Sequence, residues 1–316
     1  MKYVFIVNPT AGKGNKQAKF VESVEQYFAQ NGGEYEVYYT TDKGDAMAYS
    51  NALAKTGEQL RIYACGGEGT AFEVLNGVHG FENVSLGVVP LGSANDFISY
   101  FSDKEIFMDV AALVDGEELE IDLIKVGNCY AINSCSIGMD AMVASHMSKF
   151  KKWPLVSGEM AYVLALLYTF FTKMGVNLKI NIDDGKQIFN QKSLFAVVAN
   201  APYYGGGFYP TPKAKPFDQI LDFSVISPVK RLKILSLLNE YRAGTHVDLD
   251  ICKIGTALKV EIEADREVPI NMDGEIIYSD HVKFEIVKKA QKLILPKTIS
   301  SVWLNKAGQL KEKVNA

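Results

Sequence analysis

The chain has 316 residues, 48% apolar and 22% charged, which excludes global disorder, collagen-like repeats and a coiled coil. Its formal charge of −4 argues against wholesale binding to nucleic acid, although seven lysines oppose one glutamate from Val287 to the end. The most apolar run, Ala161 to Phe171, is only 11 residues long, where a membrane-spanning helix needs about 20.

The first 120 or so residues alternate strand and helix patterns. Tyr3–Val7 is a short apolar run ending at Asn8-Pro9 and reads as a buried strand. A helix follows over Lys16 to Gln30, with Phe20, Val24, Tyr27 and Phe28 on one face and Gly32-Gly33 as its stop. Glu36–Thr40 is the second strand, a helix runs from Asp45 to Gly57, and Arg61–Cys65 and Ser85–Val89 are the third and fourth strands. This alternation predicts parallel pairing in an open α/β sheet.

After about Asp122 strands follow one another: Leu119–Val126, Tyr130–Ser134, Val176–Ile182, Leu194–Asn200, Leu221–Ser227, Asp248–Ile254, Leu258–Glu263 and Val282–Val287. Asp184-Gly185 and Asp273-Gly274 are hairpin-turn dipeptides. Helical inserts are expected around Met139–Lys173 and Lys230–Ala243. The fold class is therefore α/β plus all-β: an α/β domain over 1–125, then an antiparallel β-sandwich over 126–289. The run Ala161–Phe171 reads as a buried helix.

Two glycine-rich loops each follow a strand. The first is Gly66-Gly67-Glu68-Gly69-Thr70, with Thr70 and Glu73 at capping-box spacing. The second is Pro90-Leu91-Gly92-Ser93-Ala94-Asn95-Asp96-Phe97, in which Ser93 can cap. Parallel strands place both loops at the carboxyl edge of the sheet, where open α/β folds bind ligands. Helix N-termini there suit phosphate, although either loop alone is also an ordinary tight turn. Asn8–Gly14 closes the first strand at the same edge and is neither a P-loop nor G-x-G-x-x-G. Four cysteines without C-x-x-C spacing read as reduced thiols. The N-terminus starts on a strand and lacks the apolar stretch of a signal peptide, so a cytoplasmic protein is expected.

Taken together these pieces resemble the diacylglycerol kinase catalytic-domain family, which includes sphingosine kinases and bacterial lipid kinases. The resemblance runs through Asn8-Pro9, Gly66–Thr70, Pro90–Phe97, Ile121-Asp122, Gly138–Ala141, Tyr204–Gly207, Asp218–Asp222 and Asp273–Glu275. It implies an α/β nucleotide domain, a β-sandwich, and a C-terminal segment, 290–316, that packs back on the first domain. It implies transfer of the γ-phosphate of ATP to a lipid hydroxyl, with a diacylglycerol-like substrate. NAD kinase, a relative with a similar loop, and a catalytically weakened nucleotide- or lipid-binding protein are the alternatives.

The resemblance places Asn8, Thr40, Gly66, Gly67, Glu68, Gly69, Thr70, Gly92, Ser93 and Asn95 around the nucleotide. Glu68, Asp96 and Asp122 correspond to carboxylates that organise a catalytic Mg²⁺, partly through waters. Asp273 matches the general base, with Glu275 beside it, and the bare alternative for Asp273-Gly274 is a hairpin turn. A second, structural Mg²⁺ would use Asp218 and the carbonyls of Lys215 and Ile220; otherwise that segment is a solvated loop. Three departures stand out. Glu68 replaces the usual Asp and moves the carboxylate by about 1.5 Å, one carbon–carbon bond. Ser93 replaces Thr, and Gln219 replaces Gly after Asp218.

A lipid substrate implies peripheral contact with the inner face of the membrane, and the resemblance allows a homodimer. Met139, Met142, Val143, Met147, Phe150 and Trp153, with Lys149, Lys151 and Lys152 at the end, form a candidate lipid-contacting face; a helix packed on the sandwich is the alternative.

Overall fold

The computed structural model describes residues 1–12, 15–92, 95–150, 153, 156, 158–172 and 175–309. The chain forms two compact units, Met1–Leu123 with the segment from Lys288 onward, and Ile124–Val287. In chain order the first elements are β1 (Lys2–Val7), α1 (Lys16–Asn31), β2 (Glu34–Tyr39), α2 (Asp45–Ala54), β3 (Leu60–Gly66), α3 (Glu68–Val78), β4 (Val84–Pro90), α4 (Val110–Val114) and β5 (Glu117–Val126). There follow β6 (Cys129–Ala131), β7 (Ser134–Gly138), α5 (Met139–Phe150), α6 (Gly158–Phe171), β8 (Val176–Ile182), β9 (Gln187–Ser193) and β10 (Phe195–Ala199). The last are β11 (Leu221–Ile226), α7 (Arg231–Ala243), β12 (Cys252–Ala257), β13 (Lys259–Met272), β14 (Glu275–Leu295) and α8 (Lys297–Lys306).

In the first unit the strand order is β14-β4-β3-β1-β2. These pairs are parallel, with Val7 opposite both Tyr39 and Cys65, Gly66 opposite Pro90, and Leu293 opposite Leu86. Val4–Val7 and the whole of β4 are buried, as strands covered on both faces must be. Phe20, Val24 and Phe28 of α1 join the core around Phe5, which stacks on Tyr63 at 4.7 Å between ring centroids. This register aligns the carboxyl ends of β1, β3 and β4. The C-terminal segment is tied into the same unit: the Trp303 indole N–H donates to the Phe101 carbonyl (2.9 Å), and Gln309 exchanges two bonds with the Glu120 backbone.

The second unit is antiparallel, in the order β12-β11-β10-β7-β13-β14, with β8 also paired to β13 and β9 to β8. The β13–β14 hairpin is far longer than the two short runs expected. The expected run stops at Glu263, yet a register shift between Glu263 and Val268 carries the strand on through Ala264–Glu267. The expected strand Asp248–Ile254 is replaced in part: Gly244, at φ 75°, ends α7, a 3₁₀ turn covers Thr245–Asp248, and β12 begins only at Cys252. β9 carries no alternating apolar pattern and escapes sequence reading because it pairs with β8 alone.

The helical insert also differs from expectation. Val143 is buried and Met139 packs against a core cluster, so the candidate lipid-contacting face of α5 is partly core. Conversely Ala161–Phe171 is not a buried helix, since Val163, Leu167, Tyr168 and Phe171 are exposed. Lys151 and Lys152 lie outside the described residues. No helix among the described residues is long and apolar enough to cross a membrane.

Candidate functional site

Three strand ends of the first unit are stitched together around Gly66. The Gly66 carbonyl accepts the Gly92 N–H (3.0 Å) and the Asn95 side-chain amide (3.1 Å), joining the two glycine loops directly. Asn8 enters from the end of β1: its N–H donates to the Cys65 carbonyl (3.0 Å), and its side-chain amide to Thr70 Oγ1 (3.4 Å). Its own Oδ1 is held by the N–H and hydroxyl of Thr10. Thr40 follows β2 and donates its N–H to the Val7 carbonyl (3.0 Å). The glycines are required by space. A Cβ on Gly66 would collide with the Thr70 side chain, and one on Gly92 would lie 2.7 Å from Gly67 Cα.

The capping box expected at Thr70 and Glu73 does not form. α3 starts earlier, at Glu68, with Gly67 as an extended N-cap and no side-chain cap. Glu73 instead accepts the Gly44 N–H from the head of α2 (2.8 Å). The first intrahelical bond runs from the Ala71 N–H to the Gly67 carbonyl (3.1 Å), so the N–H groups of the preceding turn lie ahead of the helical ladder. A backbone amide turn with the positive end of a helix dipole is suited to phosphate oxygens. Ser93 lies outside the described residues.

Glu68 and Asp96 come together on this frame, the Asp96 N–H donating to Glu68 Oε1 at 3.4 Å. Asp122 is fully buried on β5, and its Oδ1 accepts the Lys289 N–H of β14 (2.7 Å). Among the described residues no three carboxylate, histidine or cysteine side chains are clustered closely enough to hold a metal. The three carboxylates expected around a catalytic Mg²⁺ are thus not gathered into one protein cage: Glu68 meets the Asp96 backbone, while Asp122 is bonded to β14.

In the second unit, Asp273 and Gly274 make the tight turn between β13 and β14, Asp273 at φ 46°. The turn and the candidate base are the same residue. Its carboxylate accepts N–H groups from Ile132 (2.6 Å), Asn133 (3.2 Å) and Ser134 (2.9 Å). Burial pushes Asp273 up to about 6, and those three amides hold the rise back. Glu275, the first residue of β14, is half-buried.

Lys215, Asp218 and Ile220 meet in one turn: the Asp218 N–H donates to the Lys215 carbonyl and the Ile220 N–H to Asp218 Oδ1, both at 3.4 Å. Gln219 takes the left-handed conformation, φ 66°, that the usual glycine would supply, so the turn survives the change. Asp222 next to it is pushed up to about 7, by burial first and then by the Asp218 charge. An all-oxygen turn beside two repelling carboxylates fits a Mg²⁺ ion.

One buried acid was not singled out as a site residue. Asp140, in the first turn of α5, makes no hydrogen bond of good geometry through either oxygen. Burial raises it to about 6, which the nearby Ser136 and Tyr204 hydroxyls only partly offset. Its sequence signal is the Gly138–Ala141 motif alone.

Residues 2–126 match the family described as "Diacylglycerol kinase catalytic domain" and residues 133–295 the "YegS C-terminal NAD kinase beta sandwich-like domain". The chain is 27% identical over 291 residues to the "Putative lipid kinase YtlR" of Bacillus subtilis, covering 87% of this chain and 93% of that protein. It is 27% identical to the "Probable lipid kinase YegS-like" of Shewanella frigidimarina, covering 75% and 76%. A crystal structure titled as a diacylglycerol kinase from Bacillus anthracis superposes with a TM-score of 0.70 at 19% identity, covering 94% of this chain and 98% of that one, which shows a shared fold.

Proposed function

The chain belongs to the diacylglycerol kinase catalytic-domain family with a YegS-type C-terminal domain, and from that premise we propose that it transfers the γ-phosphate of ATP to the hydroxyl of a diacylglycerol-like lipid at a membrane surface. The observation that carries the reading is the Gly66 junction, where two glycine loops and Asn8 are joined by hydrogen bonds at the carboxyl ends of three parallel strands. The first-turn amides of α3 and the Gly92 backbone bind and orient the phosphates. Glu68, Asp96 and Asp122 are the carboxylates that would hold a Mg²⁺, in part through waters, and the ion would supply neutralisation of phosphate charge. Asp273, with Glu275 two residues on, takes the proton of the acceptor hydroxyl. An acid near 6 is ionised at neutral pH and still basic enough for that transfer.

The test is transfer of label from γ-labelled ATP to a panel of extracted lipids, with NAD as a control acceptor and products identified by mass spectrometry. Label in a phosphorylated lipid supports the proposal. Label in NADP alone, or ATP binding without transfer to any lipid, sinks it.

A further inference from the structure

Helix α6 presents its side chains in reverse. Ala161, Ala165 and Thr169 are buried, whereas Met160, Val163, Leu167, Tyr168 and Phe171 are exposed by between 51% and 74%. A helix packed on its own protein does the opposite. The small residues recur every four positions and seat α6 on α5, where His146 Nδ1 lies 2.9 Å from Thr169 Oγ1 and the His146 ring meets Tyr168 edge-on at 4.7 Å. The bulky ones form an outward stripe, and none of these five side chains carries a charge.

The rim of this stripe is aromatic and polar. Trp153 is 57% exposed and Tyr278 50%, with the Tyr278 hydroxyl 2.6 Å from Ser145 Oγ. Beside it lies a recess of about 350 Å³ lined by Met142, Ser145, His146 and Lys149 from one face of α5, with Arg266 and Glu267 from β13. Arg266 is already engaged, by Asp265 at 2.9 Å and the Gly175 carbonyl at 3.1 Å. Among the described residues Lys149 is the remaining lysine or arginine of the recess.

We propose that this face of the second unit docks on a bilayer containing anionic phospholipid, the α6 stripe entering the boundary between headgroups and acyl chains while Lys149 takes a headgroup phosphate. The choice of a bilayer rests in part on the lipid-kinase reading. It rests also on chemistry: aliphatic side chains at the centre, Trp and Tyr at the edge and a lysine at the rim are what a membrane interface selects. At 14 residues α6 can lie on a membrane and cannot cross it.

The test is sedimentation of the full chain with vesicles in the absence of nucleotide. One set is phosphatidylcholine alone and the other is mixed with phosphatidylglycerol. The wild type binds the mixed vesicles more tightly. The exposed double substitution Leu167→Ser/Phe171→Ser weakens binding to both at least about tenfold, with an unchanged melting temperature. Lys149→Gln weakens binding to the mixed vesicles roughly fivefold and leaves phosphatidylcholine binding alone. The proposal is overturned if the double variant binds like wild type, if Lys149→Gln affects both vesicle types equally, or if the wild type binds neither. It is also overturned if the double variant turns a dimer into a monomer with vesicle binding intact, which would assign the stripe to a second copy. A chain that binds vesicles but phosphorylates no lipid sinks the kinase reading alone. One that phosphorylates detergent-dispersed lipid but ignores vesicles sinks the docking proposal alone.

Discussion

Glu68 occupies the first position of α3 and reaches back to the Asp96 N–H, so its longer side chain still ties the two glycine loops. Glu68→Ala removes both that link and a carboxylate of the proposed phosphate site, and kcat with saturating ATP should fall about 10- to 100-fold. Glu68→Asp keeps the carboxylate and should retain activity; equal rates for Ala and wild type would remove Glu68 from the site. Asp273 gives a second test. Its pKa is raised from 3.8 to about 6, so kcat should decline as pH falls through about 6. Stability has the opposite sign. The folded chain holds this proton more tightly than the unfolded one, so the Asp273 contribution to stability is lost as pH rises from about 4 to 6. Asp273→Asn should cost about 10²–10⁴ in kcat and also lower the melting temperature, because an amide NH₂ would face backbone N–H groups. A large loss of stability with kcat intact would make Asp273 a residue of the turn only.

At the scale of elements, the legible parts were those where local pattern and tertiary role agree. The buried strands β1, β3 and β4 are continuous apolar runs, and the loops after β3 and β4 declare themselves by glycine. What stayed hidden was set by partners distant in sequence. The polar stretch Ala264–Glu267 stays within β13 through a register shift, and α6 is as apolar as a core helix yet faces outward. Hydropathy reports composition and cannot say which side of a helix a neighbour covers. The Lys215–Ile220 turn is legible only by resemblance, and it gives a prediction independent of turnover. Mg²⁺ added without nucleotide should raise the melting temperature of the wild type, since a ligand that binds only the folded state stabilises it by mass action. Asp218→Asn should blunt that rise. An equal shift in both proteins would show that the ion binds elsewhere.

The whole molecule is threaded so that the first unit is built from two separate pieces of chain, while the second, Ile124–Val287, is continuous. The first is closed by the segment from Lys288, whose Leu293 pairs with Leu86 of β4 and whose Leu293, Ile294 and Leu295 are fully buried. Removing that segment would uncover β4, a strand buried along its whole length, and withdraw Trp303 from Phe101 and Tyr100. Each buried aliphatic lost costs roughly 2–5 kcal/mol, against a total stability of about 5–15 kcal/mol for a domain. A chain ending at Val287 keeps every glycine loop of the nucleotide site and should nevertheless fail to bind ATP, because its first unit does not fold. A chain ending at Gln309 keeps β14, α8 and the Gln309–Glu120 pair and should bind ATP as the full chain does. Circular dichroism melting and ATP titration of the two truncations decide the matter. If the chain ending at Val287 binds ATP as the full chain does, the closing segment does not hold the nucleotide unit together.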